Sequence, residues 1–292
     1  MATATININL LRSYANILSN STFEKVVRKK DHKYIDYKLK KYDKSLINKR
    51  PLTYKEYFHH VHHTLKNHYR NEYYYKNLII EKILLGEYNL KSTTAINEFR
   101  INKSIADLVL INGSSKVFEI KTELDKPDRI LNQINDYKKI FKEIFIVTHY
   151  SLKEKYLNIV DNSIGLIILT ADSKLKTIRE PKKNKVFDHT CIMKSLRKSE
   201  YTSIIKSYYG YLPDCTDFRY FKTCMNLFMQ IPSERIHDLV IYELKKRTVK
   251  EKEILSSKIV PGELKHICLC LDFNKPEYSY FEKFLNKKIK IN

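Results

Sequence analysis

The chain has 292 residues, 43% of them hydrophobic, and carries 54 Lys and Arg against 33 Asp and Glu, a net charge of +21. That length and apolar content suffice for one large domain or two modest ones, and the charge suits a polyanion such as nucleic acid, although an anionic membrane would also attract it. Only five glycines are present, with no GxGxxG or Walker loop, which excludes the usual nucleotide-binding enzymes.

A coding bias toward Lys, Asn, Ile and Tyr would account for part of the charge. The five cysteines are odd in number and form no CxxC; Cys268-Leu-Cys270 is too tight for half a zinc finger. Reduced, buried thiols are expected. No apolar run reaches transmembrane length and no secretory leader is evident, so a cytoplasmic location is expected.

In chain order, residues 1–50 read as helical and basic, with Ile6, Leu10, Tyr14, Ile17 and Leu18 at helical spacing. A charge-dense stretch from Arg28 to Arg50 reads as a solvated helix face, with a nucleic-acid arm as the alternative. His59 and His63 stand at i, i+4, a spacing that suits zinc. No Cys or acid lies nearby, so partly buried or phosphate-facing histidines are the expectation. Residues 71–86 form an amphipathic helix closed by Gly86. Glu72 lines up with Ile79 and Ile83, which places it toward the buried side, and Glu81 faces away. The alternative for Glu72 is an exposed first-turn glutamate favoured by the helix dipole.

Residues 95–101 read as a strand. There Glu98 and Arg100 share a face, as an ion pair first and as support for a site second. Ile105–Ile111 and Lys116–Ile120 flank Asn112-Gly113-Ser114-Ser115, a hairpin signal. Each run carries an acid where an apolar residue would pack better, Asp107 and Glu119, and Lys121 leaves the strand on the face of Glu119. Two carboxylates side by side repel unless a cation lies between them. The three groups therefore suggest a divalent metal beside an ammonium, against a salt-bridged hairpin with no metal. Asp107 can face Glu119 only if Ile111 pairs with Ser115 across a three-residue loop.

Asp125 reads as a helix cap with Pro127 in the first turn, and the helix runs to about Phe141 with Gln133 and Tyr137 on one face. Glu143–Thr148 and Gly165–Leu169 are buried strands separated by a short helix, and Leu175–Ile178 is a hairpin partner of the second. Arg179–Lys185 is basic and reads as a linker. The remainder is mainly helical, with apolar stripes at Ile204, Ile205, Tyr208 and Tyr209, at Phe221, Met225, Phe228 and Met229, and at Ile236, Leu239, Val240 and Leu244. Leu244–Lys250 reads as a solvated helix end.

An Asp on one strand followed by Glu119-Ile120-Lys121 on the next resembles the PD-(D/E)xK nuclease superfamily. Gln133-x-x-x-Tyr137 one helix later is similar to the motif of its RecB-like branch. At family level NEYYYKN, EFRINKSIADLVLING, EIKTELD and QINDY look like the sce-type bacterial group of these proteins over roughly residues 70 to 180. The resemblance implies an α/β, restriction-endonuclease-like αβββαβ core with a mixed sheet over 71–180. A basic helical extension (1–70) and a helical C-terminal region (186–292) flank it. It further implies Mg²⁺ or Mn²⁺ held by Asp107, Glu119, the Ile120 carbonyl and Glu72, with Lys121, Gln133 and Tyr137 completing the catalytic set. The implied activity is phosphodiester hydrolysis of nucleic acid, DNA ahead of RNA, in phage or plasmid defence. No membrane is expected as a partner; a protein partner or a second copy stays open. The alternatives are a catalytically silent nucleic-acid-binding or assembly protein and, last, a membrane-surface scaffold.

Overall fold

The computed structural model describes residues 7–88 and 90–290; Ile6, placed above on the first helix, lies outside them. The protein is α/β, with one six-stranded mixed sheet and helical regions before and after it. It divides into two compact units, Tyr88–Thr248 and a second made of Met1–Glu87 with Val249–Asn292. The expected cuts near 70 and 180–186 are therefore displaced, and the two ends of the chain fold together.

In the unit Tyr88–Thr248 the strands are β1 (Thr94–Ile101), β2 (Ser104–Ile111), β3 (Ser115–Lys121), β4 (Glu143–His149), β5 (Gly165–Leu169) and β6 (Leu175–Arg179), hydrogen-bonded in that order. β1, β2 and β3 form an antiparallel meander, β3–β4 and β4–β5 are parallel, and β5–β6 closes antiparallel. The two parallel steps need crossovers, and helices Ile130–Lys138 and Lys153–Ile159 supply them. Every residue of β4 is buried, as expected of a central strand covered on both faces. Gly165 opens β5 where a side chain would not fit: an added Cβ would lie 2.7 Å from the Phe145 ring, itself stacked on Phe118 at 5.1 Å.

Ile111 pairs with Ser115 across the three-residue loop, in the register that lets Asp107 face Glu119. Gly113 takes φ 63° in that loop, which a glycine adopts without a Cβ penalty. The next helix begins at Ile130, four residues later than expected. Asp125 is not its cap, because its Oδ2 accepts from both the N–H and the hydroxyl of Thr122 at 2.8 Å, closing a turn in the other direction.

The basic stretch after β6 is not a free linker. Lys182, Asn184 and Asp188 donate their N–H groups to the carbonyls of Ser163, Lys142 and Lys139. The helices that follow, His189–Ser195, Lys198–Tyr209, Asp217–Met229 and Ser233–Lys245, share one apolar cluster with the sheet through Ile192, Ile204, Phe228, Ile236 and Val240. Tyr208, Phe221 and Met229 point outward, so two of the apolar stripes are narrower than their spacing suggests. His237 ties the last helix to the hairpin. Its Nε2 lies 3.0 Å from the Ser115 hydroxyl, which also accepts the Lys142 N–H at 2.9 Å, and its ring stacks on Phe187.

Among the described residues the regular elements of the second unit are helices, apart from an isolated Thr53–Lys288 bridge. Residues 7–50 are no detached arm: Leu11, Tyr14, Ile17, Phe23, Val26, Ile35 and Leu39 are buried. Phe23 packs on Phe58 and on Phe281 of the C-terminal helix Lys275–Asn286, and Tyr54 stacks on Phe284 at 4.3 Å. A buried carboxylate, Asp43, is satisfied by the hydroxyls of Tyr14 and Tyr57 at 2.6 and 2.8 Å.

Burial, reinforced by the Lys142 charge, pushes His237 down from 6.5 to about 4. A base whose folded pKa is depressed is protonated first in the unfolded chain. Its stabilising contribution is therefore complete above about pH 6.5 and is lost as pH falls toward 4. The full loss is roughly 2–4 kcal/mol. Urea unfolding of the wild type and His237→Gln at pH 7, 5.5 and 4 should show a stability difference that shrinks by that amount on acidification.

Candidate active site

Glu119 is the most deeply placed charged group of the sheet, 2% exposed near the end of β3. Three side chains from two elements converge on it. Lys121 Nζ donates to Oε1 at 2.7 Å, Gln133 Nε2 donates to the same oxygen at 2.6 Å, and the Tyr137 hydroxyl donates to Oε2 at 2.6 Å. Gln133 Oε1 accepts from Lys121 Nζ at 2.9 Å. Only one orientation of the amide satisfies both a carboxylate and an ammonium, so the network itself fixes which way Gln133 points.

These positions follow from backbone periodicity. Glu119 and Lys121 leave β3 on one face, and that face packs under the helix Ile130–Lys138 through Val117, Ile130, Ile134 and Tyr137. On that helix Gln133 and Tyr137 are one turn apart. Burial raises the pKa of Glu119, and the charge of Lys121 with the hydrogen bonds from Lys121, Tyr137 and Gln133 opposes the rise. Burial, then the Glu119 charge, holds the Tyr137 phenol well above its ordinary value. The hydroxyl also lies 3.0 Å from the Ile105 carbonyl, so one proton serves two acceptors, one on β2 and one on β3.

Asp107 closes the site from β2. The β2–β3 ladder ends at Leu108 and Phe118, and beyond it the Asp107 Oδ2 takes the Ile120 N–H at 2.8 Å in place of a strand carbonyl. A strand residue sends its N–H and C=O to the same side, so the Ile120 carbonyl also faces β2. On the far side, β1 brings Glu98 opposite Asp107 between the pairs Asn97–Leu108 and Phe99–Ala106. Glu98 has φ 54°, unusual for a residue with a Cβ inside a strand. Both Glu98 and Arg100 are exposed.

The expectation for Glu72 fails. Glu72 belongs to the other unit, where its side chain is 54% exposed and pairs with Lys76 at 2.6 Å. Its helix covers only Glu72–Leu78 before passing into a π-helical turn at Ile79–Leu84, so the lateral alignment with Ile79 and Ile83 does not hold. The first-turn alternative is the one observed. His59 is also in that unit, 72% exposed and 3.5 Å from Glu263. Among the described residues no group of three or more His, Cys, Asp or Glu side chains is placed to hold a metal.

The donor chemistry nonetheless fits a hard divalent ion at the open end of the β2–β3 ladder. Asp107, Glu119 and the Ile120 carbonyl are all oxygen donors, and Mg²⁺ is commonly held by one or two carboxylates with waters and phosphate oxygens. Sequence reasoning missed two supports. The Thr148 hydroxyl on β4 donates to the Lys121 carbonyl at 2.6 Å. Asp136 accepts from Asn102, Ser104 and Lys139 at 2.7–3.0 Å, joining the β1–β2 turn to the helix that carries Gln133. The polar Asn102-Lys103-Ser104 turn was the only available signal.

Tyr137→Phe removes one donor from two buried acceptors, the Glu119 carboxylate and the Ile105 carbonyl. It should cost about 1–3 kcal/mol, read as a lower urea midpoint with an unchanged denaturant slope.

Among known proteins, no curated sequence matches. Among solved structures, a Silicibacter pomeroyi protein of unknown function is similar at 14% identity over 41% of this chain and 84% of that one, with a TM-score of 0.29. The family model described as bacteriophage P4 protein cII matches residues 65–267. That span is more than half of the chain, which therefore belongs to the bacteriophage P4 protein cII family.

Proposed function

We propose that this protein is a divalent-metal-dependent nuclease that hydrolyses phosphodiester bonds of nucleic acid in the cytoplasm. The observation that carries the reading is the single network joining Glu119, Lys121, Gln133 and Tyr137, with Asp107 beside it where the β2–β3 ladder opens. Asp107, Glu119 and the Ile120 carbonyl would hold Mg²⁺ or Mn²⁺. Such an ion supplies a more acidic attacking water and offsets phosphate charge. Lys121 has a third N–H beyond those spent on Glu119 and Gln133, and its side chain is 12% exposed. That proton is available to a phosphate oxygen or to the attacking water. Gln133 holds the ammonium in place and Tyr137 holds the Glu119 carboxylate.

DNA stands ahead of RNA on the nuclease resemblance alone. The family description names a phage protein, which supports a phage-associated setting; defence against phage or plasmid DNA is one such role. A second reading, a catalytically silent nucleic-acid-binding or assembly protein, is favoured by one observation: both Glu119 oxygens already accept protein donors.

Cleavage of single- and double-stranded DNA and RNA in Mg²⁺, Mn²⁺ or EDTA separates the two. The nuclease reading expects cutting that EDTA abolishes and that Glu119→Ala and Lys121→Ala each reduce by at least about 10²-fold, with oligonucleotide binding largely retained. Binding without cutting under every condition would leave the silent reading.

A further inference from the structure

A polar groove of about 1010 Å³ adjoins Gln133, between the β1–β2 turn and the helix Ile130–Lys138. We propose that it holds one unpaired polynucleotide strand and leads it to the Asp107–Glu119–Lys121 site; this deepens the nuclease reading and rests on it. The groove is lined by Asn102, Lys103, Arg129, Asn132, Asn135 and Lys139, with Gln133 belonging to both groove and site.

Its charge pattern favours a phosphate chain. The one acid in the groove, Asp136, has both oxygens engaged by Asn102, Ser104 and Lys139. Lys103 and Arg129 are exposed and, among the described residues, have no ion pair, so two cations are left for phosphates. The polar groups favour a strand with its bases open. Asn132 and Asn135 are exposed side by side on one helix, with no side-chain hydrogen bond among the described residues. Each amide presents a donor and an acceptor that match base edges. Ile105 is 42% exposed between buried Ser104 and Ala106, an apolar surface within the groove for a base or sugar. A duplex would satisfy the cations but would keep its base-pairing edges away from the amides.

The test is equilibrium binding of fluorescent single-stranded DNA, single-stranded RNA and duplex DNA to the full chain in EDTA over a range of salt. Three double variants are compared. Lys103→Glu with Arg129→Glu should weaken single-strand binding at least tenfold and reduce the salt slope by about two. Asn132→Ala with Asn135→Ala should weaken it at least threefold with the slope unchanged. Lys174→Glu with Lys176→Glu alters net charge equally on exposed residues at β6 and should change affinity less than threefold. Tighter binding of either strand type than of duplex supports the proposal, and the preferred type names the substrate. Equal weakening by both charge reversals, or duplex bound as tightly as single strand, overturns it. Wild-type protein that never cuts but loses strand binding in the groove variants would sink the nuclease reading and keep the groove. Intact metal-dependent cutting with unaltered binding in the groove variants would do the reverse.

Discussion

A carboxylate shut inside a sheet is the constraint around which the unit Tyr88–Thr248 is arranged. An ion at that depth is tolerated only if its lone pairs are met by well-placed donors. Glu119 meets the condition with an ammonium two residues along its own strand and an amide and a phenol from the covering helix. The amide and the phenol both depend on the helix lying in one rotation about its axis. The apolar contacts of Ile130, Ile134 and Phe141 supply that rotation without direction; the polar contacts supply direction. The two kinds of packing are mutually dependent, which is the usual condition for a side-chain constellation to be held tightly enough for chemistry.

The same arrangement explains why β2 and β3 part company where they do. Beyond Leu108 and Phe118 the β2–β3 ladder stops, and no strand carbonyl stands across from Ile120 at Asp107. Its side chain instead takes the backbone N–H of Ile120, and the Tyr137 hydroxyl takes part of the load of the Ile105 carbonyl. The opened segment is therefore not left with orphaned backbone groups at these two points, and the gap is stable without regular pairing.

Much of this was legible in the residues. Strand alternation placed Glu119 with Lys121, helix spacing placed Gln133 with Tyr137, and loop length set the hairpin register, because each rests on a local geometric period. Glu72 was misread for the same reason in reverse: a period of 3.6 was applied across Ile79–Leu84, where the chain winds more loosely. The start of the helix at Ile130 was missed because Asp125 could cap in either direction, and Thr122 decided between them. The union of the two chain ends was not legible. Phe23 and Phe281 lie far apart in sequence, and nothing local records that they meet.

The left-handed backbone at Glu98 has a consequence for the molecule in solution. β1 is the outermost strand of its side of the sheet, and an outermost strand offers a row of unsatisfied amides to any passing chain. A single residue turned the wrong way spoils the regular spacing of that row, and the exposed Glu98 and Arg100 set charges along it. At the opposite margin the irregular register at Leu166 and Ile167 and the exposed Lys176 act alike. Both margins thus discourage the edge-to-edge addition of strands from other molecules that builds fibres, a safeguard of particular value to a protein rich in tyrosine and isoleucine.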